Sequence, residues 1–298
     1  MTRHVDALMS STLKNLREQW WNTDFSEFLQ ETLKPRPGNR ILDVGCGEGT
    51  AEMSLGRLRV SQLKVFAIDR NIDRVRHTAA EARSHNYRFG LAAADATALP
   101  FKTGAFDATF CVAVLQHVND LQRAVCELAR VTRPGGRVLA VEPDNSARYW
   151  YSSSPVGERA FSLASRFFSA IASARGDSTD PAVGPRLSAI FAESGIEPVS
   201  VQLFPVSFTH IGQPDAATWQ DRREAVRLAL DRTNVETARQ VGQEYLHTLD
   251  LYEQDASRAG RHFVEIQNTM LFATVGQRSE APVGAAALAG TTPTSVKA

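Results

Sequence analysis

Cysteine is scarce in this chain: Cys46, Cys111 and Cys126 are the only three among 298 residues, and none pairs with another at metal-ligand spacing. The expectation is small buried thiols and no metal. Net charge is absent as well, because 33 Lys plus Arg balance 33 Asp plus Glu. No overall field therefore draws nucleic acid or an anionic membrane. The nearest approach to a basic patch, Arg222, Arg223, Arg227 and Arg232, is interleaved with acids and apolar residues and is expected to be a solvated helix face. No apolar run approaches the roughly 20 residues that span a bilayer. Met1 to Lys14 lacks the apolar core of a signal peptide, so the chain is expected to be cytoplasmic. No internal repeat, basic groove or separate recognition module is visible, which turns the reading from nucleic acid and protein towards small-molecule substrates.

Against these absences stands Ile41-Leu42-Asp43-Val44-Gly45-Cys46-Gly47-Glu48-Gly49-Thr50. A short apolar run ending in an acid and three alternate glycines predicts a buried strand turning tightly around a ligand, since backbone without Cβ can approach it closely. The dinucleotide fingerprint G-x-G-x-x-G would need glycine at position 50, where Thr50 stands. Lys64 to Asp69 reads as a second strand closed by an acid about 20 residues beyond the last glycine, where a carboxylate can accept both hydroxyls of a ribose.

The D-x-G-x-G-x-G pattern resembles motif I of class I S-adenosylmethionine (SAM) dependent methyltransferases, and later segments match in order. Ala92 to Ala96 with Leu99-Pro100-Phe101, Phe106 to Val118, and Leu128 to Glu142 with its Pro134-Gly135-Gly136 turn resemble the family's third, fourth and fifth strands with their flanks. The resemblance implies a Rossmann-like α/β fold, a seven-stranded, mostly parallel sheet with helices on both faces, here with helical cap insertions. It implies SAM as cofactor. Asp43, Gly45, Cys46 and Gly47 would form the cofactor loop, Asp69 with Arg70 the ribose end, Asp95 and Ala96 the adenine contacts, and Cys111 and Val112 the carbonyls for the methionine amino group. Trp20 and Trp21 either anchor an N-terminal helix or cover the methionine end.

The match covers residues 38 to 142 closely. Residues 1–276 are expected to form one domain, with an N-terminal helical lid over 1–37, cap segments over 145–185 and 212–260, and a disordered tail over 277–298 rich in Ala, Gly, Thr and Pro. Helical patterns are expected over Val5 to Leu33, Ile72 to Ser84, Asp120 to Val131 and Leu187 to Gly195, and strands over Pro198 to Phe208 and His262 to Val275. Phe161, Ala164, Phe168 and Ile171 form one apolar stripe; Val241, Tyr245, Leu249 and Tyr252 form another within a helical segment over Thr218 to Ser257.

For chemistry, His117 is expected to begin the helix after the fourth strand, where an imidazole acts as base, orients substrate or simply caps the helix. Glu142 is expected to end the fifth strand at the mouth of the site, as base, as ligand for a substrate amine or as a surface acid. Tyr149, Tyr151, His210 and Tyr245 are candidate substrate-lining residues. The reading is methyl transfer from SAM to an oxygen, nitrogen or carbon nucleophile of a small molecule in specialised metabolism, by a monomer or homodimer. Attack at the γ-carbon of the methionine side chain, releasing methylthioadenosine, and non-catalytic SAM binding are the alternatives.

Overall fold

The computed structural model describes residues 20–174 and 182–280. The tail beyond 280, the lid before Trp20 and residues 175–181 of the first cap segment lie outside the described residues.

Seven strands form one sheet in the order β3-β2-β1-β4-β5-β7-β6. They are β1 (Arg40–Val44), β2 (Lys64–Asp69), β3 (Gly90–Ala93), β4 (Phe106–Val112), β5 (Thr132–Ser152), β6 (Ile196–Ile211) and β7 (Val264–Arg278). The β1–β2, β1–β4, β2–β3 and β4–β5 pairs are parallel. Helix α1 (Thr23–Leu33) precedes β1, and the connections between strands carry α2 (Thr50–Arg57), α3 (Ile72–Ser84), α4 (Leu121–Val131), α5 (Pro155–Ala174), α6 (Val183–Glu193), α7 (Ala216–Asp231) and α8 (Glu236–Ala259). The order reverses at β1 and β4, a Rossmann-like arrangement whose ligand crevice lies beyond the carboxyl ends of the strands at that point.

Two compact units emerge from the contacts. The glycine-loop unit comprises 28–142, 184–202 and 273–280, and the helical unit comprises 20–27, 143–174, 182–183 and 203–272. In the glycine-loop unit β1 lies between two neighbours, so Ile41, Leu42 and Val44 are buried together, as a strand covered on both faces requires. The amphipathic α4 buries Ala124, Val125, Leu128, Ala129 and Val131, and the Asp120 side chain caps it by accepting from Arg123 N–H at 3.0 Å.

The helical unit has its own core, in which Ala160, Leu163, Phe167 and Ile171 of α5 meet Tyr245, Leu249, Tyr252 and Ala256 of α8 and Trp219 of α7. The α8 stripe is as expected at Tyr245, Leu249 and Tyr252, and of the α5 stripe Ile171 is in this core, whereas Ala160, Leu163 and Phe167 stand there in place of Phe161, Ala164 and Phe168. Ala164 and Phe168 flank the buried face because apolar residues occupy both neighbouring rows of that helix. Phe161 packs instead on Trp150, with ring centroids 4.3 Å apart.

The cap segment from Thr218 to Ser257 carries two helices: α7 ends at Asp231, and Thr233 Oγ1 accepts the Val235 N–H at 3.3 Å before α8 starts. Two further expectations are corrected. Strand β5 continues to Ser152, so Glu142 sits mid-strand. Arg222 and Arg223 do not form a solvated face: Arg222 pairs with buried Glu265, and Arg223 with Asp250 and Glu253.

Candidate functional site

The turn after β1 needs its glycines for two different reasons. Gly45, Gly47 and Gly49 all have positive φ, at 89°, 56° and 85°. At Gly45 a Cβ would collide with the Val114 side chain, so this glycine lets the loop pack against the chain leaving β4. A Cβ at Gly47 would meet nothing within 4 Å, so its bare Cα faces open space beside the loop. Gly45 and Cys46 N–H both donate to the Ile68 carbonyl, at 2.7 and 2.9 Å, which pins the loop to β2.

Asp69, at the end of β2 and only 6% exposed, completes the loop. Its Oδ2 accepts from Gly47 N–H at 3.0 Å and its Oδ1 from Asn71 N–H at 2.8 Å. Each carboxylate oxygen has a further lone pair, which leaves Asp69 able to accept from a ligand as well. Arg70 is exposed beside it. Asp95 follows β3 in an Asx turn, its Oδ1 accepting from Thr97 N–H at 2.7 Å and Thr97 Oγ1 at 2.6 Å. Those bonds, with the charges of Arg70 and Arg123, hold its carboxyl below the ordinary range. The adjoining Ala94 N–H donates to the Asp69 carbonyl at 3.2 Å, which brings this turn beside the β2 end, and Ala96 is half-buried there.

Behind the loop, Asp43 and Glu52 of α2 are both buried. No described donor reaches Asp43 Oδ1 or either Glu52 oxygen, so nothing described there offsets the cost of burying these oxygens as anions. Burial, then the charges of Glu52 and Asp69, push Asp43 well up, and burial raises Glu52 to about 7. Burial and the same acids push the Cys46 thiol up, leaving it protonated and unreactive. Cys111, fully buried near the end of β4, is pushed up by burial and by the charges of Glu142 and Asp43. Val112 is half-buried beside it.

His117 does not begin α4. It closes a single 3₁₀ turn, Leu115–His117, three residues before the Asp120 cap, and is exposed. Glu142 is fully buried away from any mouth and accepts from Val114 and Leu115 N–H at 2.7 Å each and from Gln116 N–H at 3.4 Å.

The glycine-loop unit thus brings together Asp43, Gly45, Cys46, Gly47, Asp69, Arg70, Asp95, Ala96, Cys111, Val112, His117 and Glu142. The other candidates belong to the helical unit. Trp20 is buried, and Trp21 packs edge-on to Phe25 at 5.1 Å. Tyr149 and Tyr151 are exposed on one side of β5. His210 lies against Phe208 at 4.4 Å, lowered from its ordinary value by burial and by the Arg222 charge. Tyr245 is in the apolar core, where burial raises its phenol to about 12.

Three residues of the site were not singled out from sequence. Glu52 reads there as an ordinary acid in the first turn of a helix. Thr78 Oγ1 donates to the Gly47 carbonyl at 3.3 Å, and Val114 fills the space over Gly45. Neither carries a polar motif, and only their contacts reveal them.

Residues 42–140 match the family described as Methyltransferase domain. An O-methyltransferase of Pyrenophora dematioidea is 32% identical over 106 residues, 36% of this chain and 40% of its own length. A demethylmenaquinone methyltransferase of Beutenbergia cavernae is 36% identical over 112 residues, 38% of this chain and 44% of its own. The chain spans less than half the length of these curated relatives. Among solved structures, the YcgJ protein of Bacillus subtilis superposes with a TM-score of 0.52 at 16% identity, covering 86% of this chain and 98% of that one. At so low an identity this likeness establishes the fold.

Proposed function

The chain carries a methyltransferase domain of the class I SAM-dependent type, and from that premise we propose that it transfers a methyl group to an oxygen, nitrogen or carbon nucleophile of a small molecule. The observation that carries the reading is the pairing of Gly47, whose Cβ position opens onto empty space, with Asp69, whose carboxylate holds the loop and keeps acceptor capacity. This cradle fits a nucleoside whose ribose hydroxyls donate to Asp69. Bound SAM supplies a methyl group already activated by its sulfonium.

The chain's own residues then bind and orient. Asp95 would accept from the adenine amine, the Ala96 N–H would meet the ring, and the Cys111 and Val112 carbonyls would take the amino group of the methionine portion. His117, exposed on its short turn, takes the proton of the nucleophile or orients it. Holding the acceptor in line at contact distance and away from water supplies much of the rate. Tyr149 and Tyr151 are the acceptor-contact candidates of the helical unit, because they are aromatic and exposed. A small-molecule acceptor is supported by the balanced charge of the chain and by the relatives named above. Among the described residues no helix is long and apolar enough to cross a membrane.

The test is incubation of purified protein with SAM and a panel of phenols, amines and quinones, with nucleoside products identified by mass spectrometry beside a direct binding titration. S-adenosylhomocysteine that forms only when an acceptor is present is the expected result. Methylthioadenosine would move the chemistry to the γ-carbon, binding without turnover would leave a SAM-binding protein, and failure to bind SAM would overturn the reading.

A further inference from the structure

Four consecutive N–H groups leave the end of β4, and two residues of β5 take all of them. Ala113 N–H donates to the Val141 carbonyl at 2.7 Å, and those of Val114, Leu115 and Gln116 turn onto the Glu142 carboxylate. A run of N–H groups converging on one point is an anion-binding nest. Here the protein's own acid fills it. The turn is also strained: Ala113 has φ +55°, a left-handed conformation that a residue with a Cβ keeps only where its surroundings impose it.

Two parts of the cofactor site depend on this nest. The Val114 side chain occupies the place a Cβ would take at Gly45, so the residue whose N–H is held by Glu142 also forms the wall behind the first glycine. The 3₁₀ turn begun by Leu115 carries His117 at its end. Glu142 is itself fully buried, and its carboxylate already accepts from the N–H groups of Val114, Leu115 and Gln116.

We infer that Glu142 is a positioning residue: its buried carboxylate clamps the 113–117 turn and so sets both the wall behind Gly45 and the place of His117. What the turn positions rests on the methyltransferase reading; the clamp itself rests on the hydrogen bonds.

Glu142→Gln and Glu142→Ala separate this role from a proton acceptor. A glutamine can set its amide oxygen at the Oε1 position and keep the two short bonds, with its NH₂ towards Gln116, where the contact is already the longest. Alanine removes every acceptor, and Glu142→Asp, one methylene shorter, withdraws the carboxylate from the turn. In the cofactor-free protein, hydrogen exchange of the Val114 and Leu115 amides is expected to stay near wild type in Glu142→Gln and to quicken by at least about tenfold in Glu142→Ala and Glu142→Asp.

The SAM dissociation constant and turnover should follow the same order. Glu142→Gln should stay within about tenfold of wild type in both, and Glu142→Ala should weaken both by more than about tenfold. A Glu142→Gln variant with wild-type exchange and SAM affinity but turnover as low as Glu142→Ala would make Glu142 the proton acceptor and overturn the inference. Equal exchange in all variants would overturn it too. If Glu142→Ala does not fold, the contrast between Gln and Asp in exchange decides the matter. Failure of the wild type to bind SAM would remove the methyltransferase reading while the exchange result still judges the clamp.

Discussion

Glu265 of the helical unit and Asp43, Glu52 and Glu142 of the glycine-loop unit are buried in opposite ways. In the glycine-loop unit Asp43, Glu52 and Glu142 are buried with no cation against them among the described residues, and Glu142 meets only backbone N–H groups. In the helical unit Glu265 is buried as completely but meets Arg222 through two hydrogen bonds, at 2.7 and 3.0 Å, with Tyr252 and Gln267 taking further lone pairs. Burial raises Glu265, yet the Arg222 charge and its bonds outweigh burial and hold the carboxyl below its ordinary value. Burial alone dominates at Glu142, raised to about 7 against the pull of its three N–H bonds. Acids buried without a partner charge are destabilising unless something else needs them, and they concentrate at functional sites. The paired acid of the helical unit holds a core together; the unpaired acids surround the glycine loop.

The largest effect should come from breaking the pair. Arg222→Ala leaves Glu265 buried and uncompensated and is expected to lower stability by about 3–5 kcal/mol in denaturant unfolding. A loss under about 1 kcal/mol would mean that Tyr252 and Gln267 suffice, and the contrast between the units would weaken.

Asp69→Ala should act on the ligand. Loss of a charged acceptor for the ribose hydroxyls is expected to weaken SAM binding by about 1.5–3 kcal/mol in a calorimetric titration. A folded variant with unchanged affinity would remove Asp69 from the site.

The pH dependence of stability sharpens the comparison further. Glu52 rises from its ordinary 4.5 to about 7 in the fold, so between those values the native state holds more protons than the unfolded chain and stability falls as pH rises. Asp43 and Glu142 shift in the same direction. Glu265, lowered, contributes stability that is present above its unfolded pKa and is lost as pH falls through its folded one. Unfolding measured from pH 5 to 8 should therefore show a flatter decline in Glu52→Gln than in wild type, and an unchanged slope would mean that Glu52 is not raised in the fold.

The smallest effect should be at Tyr149, which is 60% exposed. Tyr149→Ala is expected to leave stability within about 0.5 kcal/mol. A raised KM for the acceptor at that stability would place it in the substrate site, and an unchanged one would remove it.

Much of the glycine-loop unit's architecture was legible because it is written locally. Asp43, the three glycines and Asp69 stand at fixed intervals at strand ends, and strands β1, β2 and β4 coincide with the apolar runs that announce them. Other features were hidden. The α5 stripe was misplaced because its neighbouring row is also apolar. Glu142 looked like a strand-end acid because nothing near it in sequence reveals that its donors lie 26 to 28 residues away. Arg222 looked solvated because its partner lies 43 residues further on.

By itself, then, the sequence determined the order of strands and helices around the glycine loop and the acids that close β2 and follow β3, since short-range periodicity and glycine's backbone freedom act over a few residues. Only the tertiary structure decided which buried acids stand alone and which meet a cation, because a charge's energy in the interior depends on what faces it across the fold.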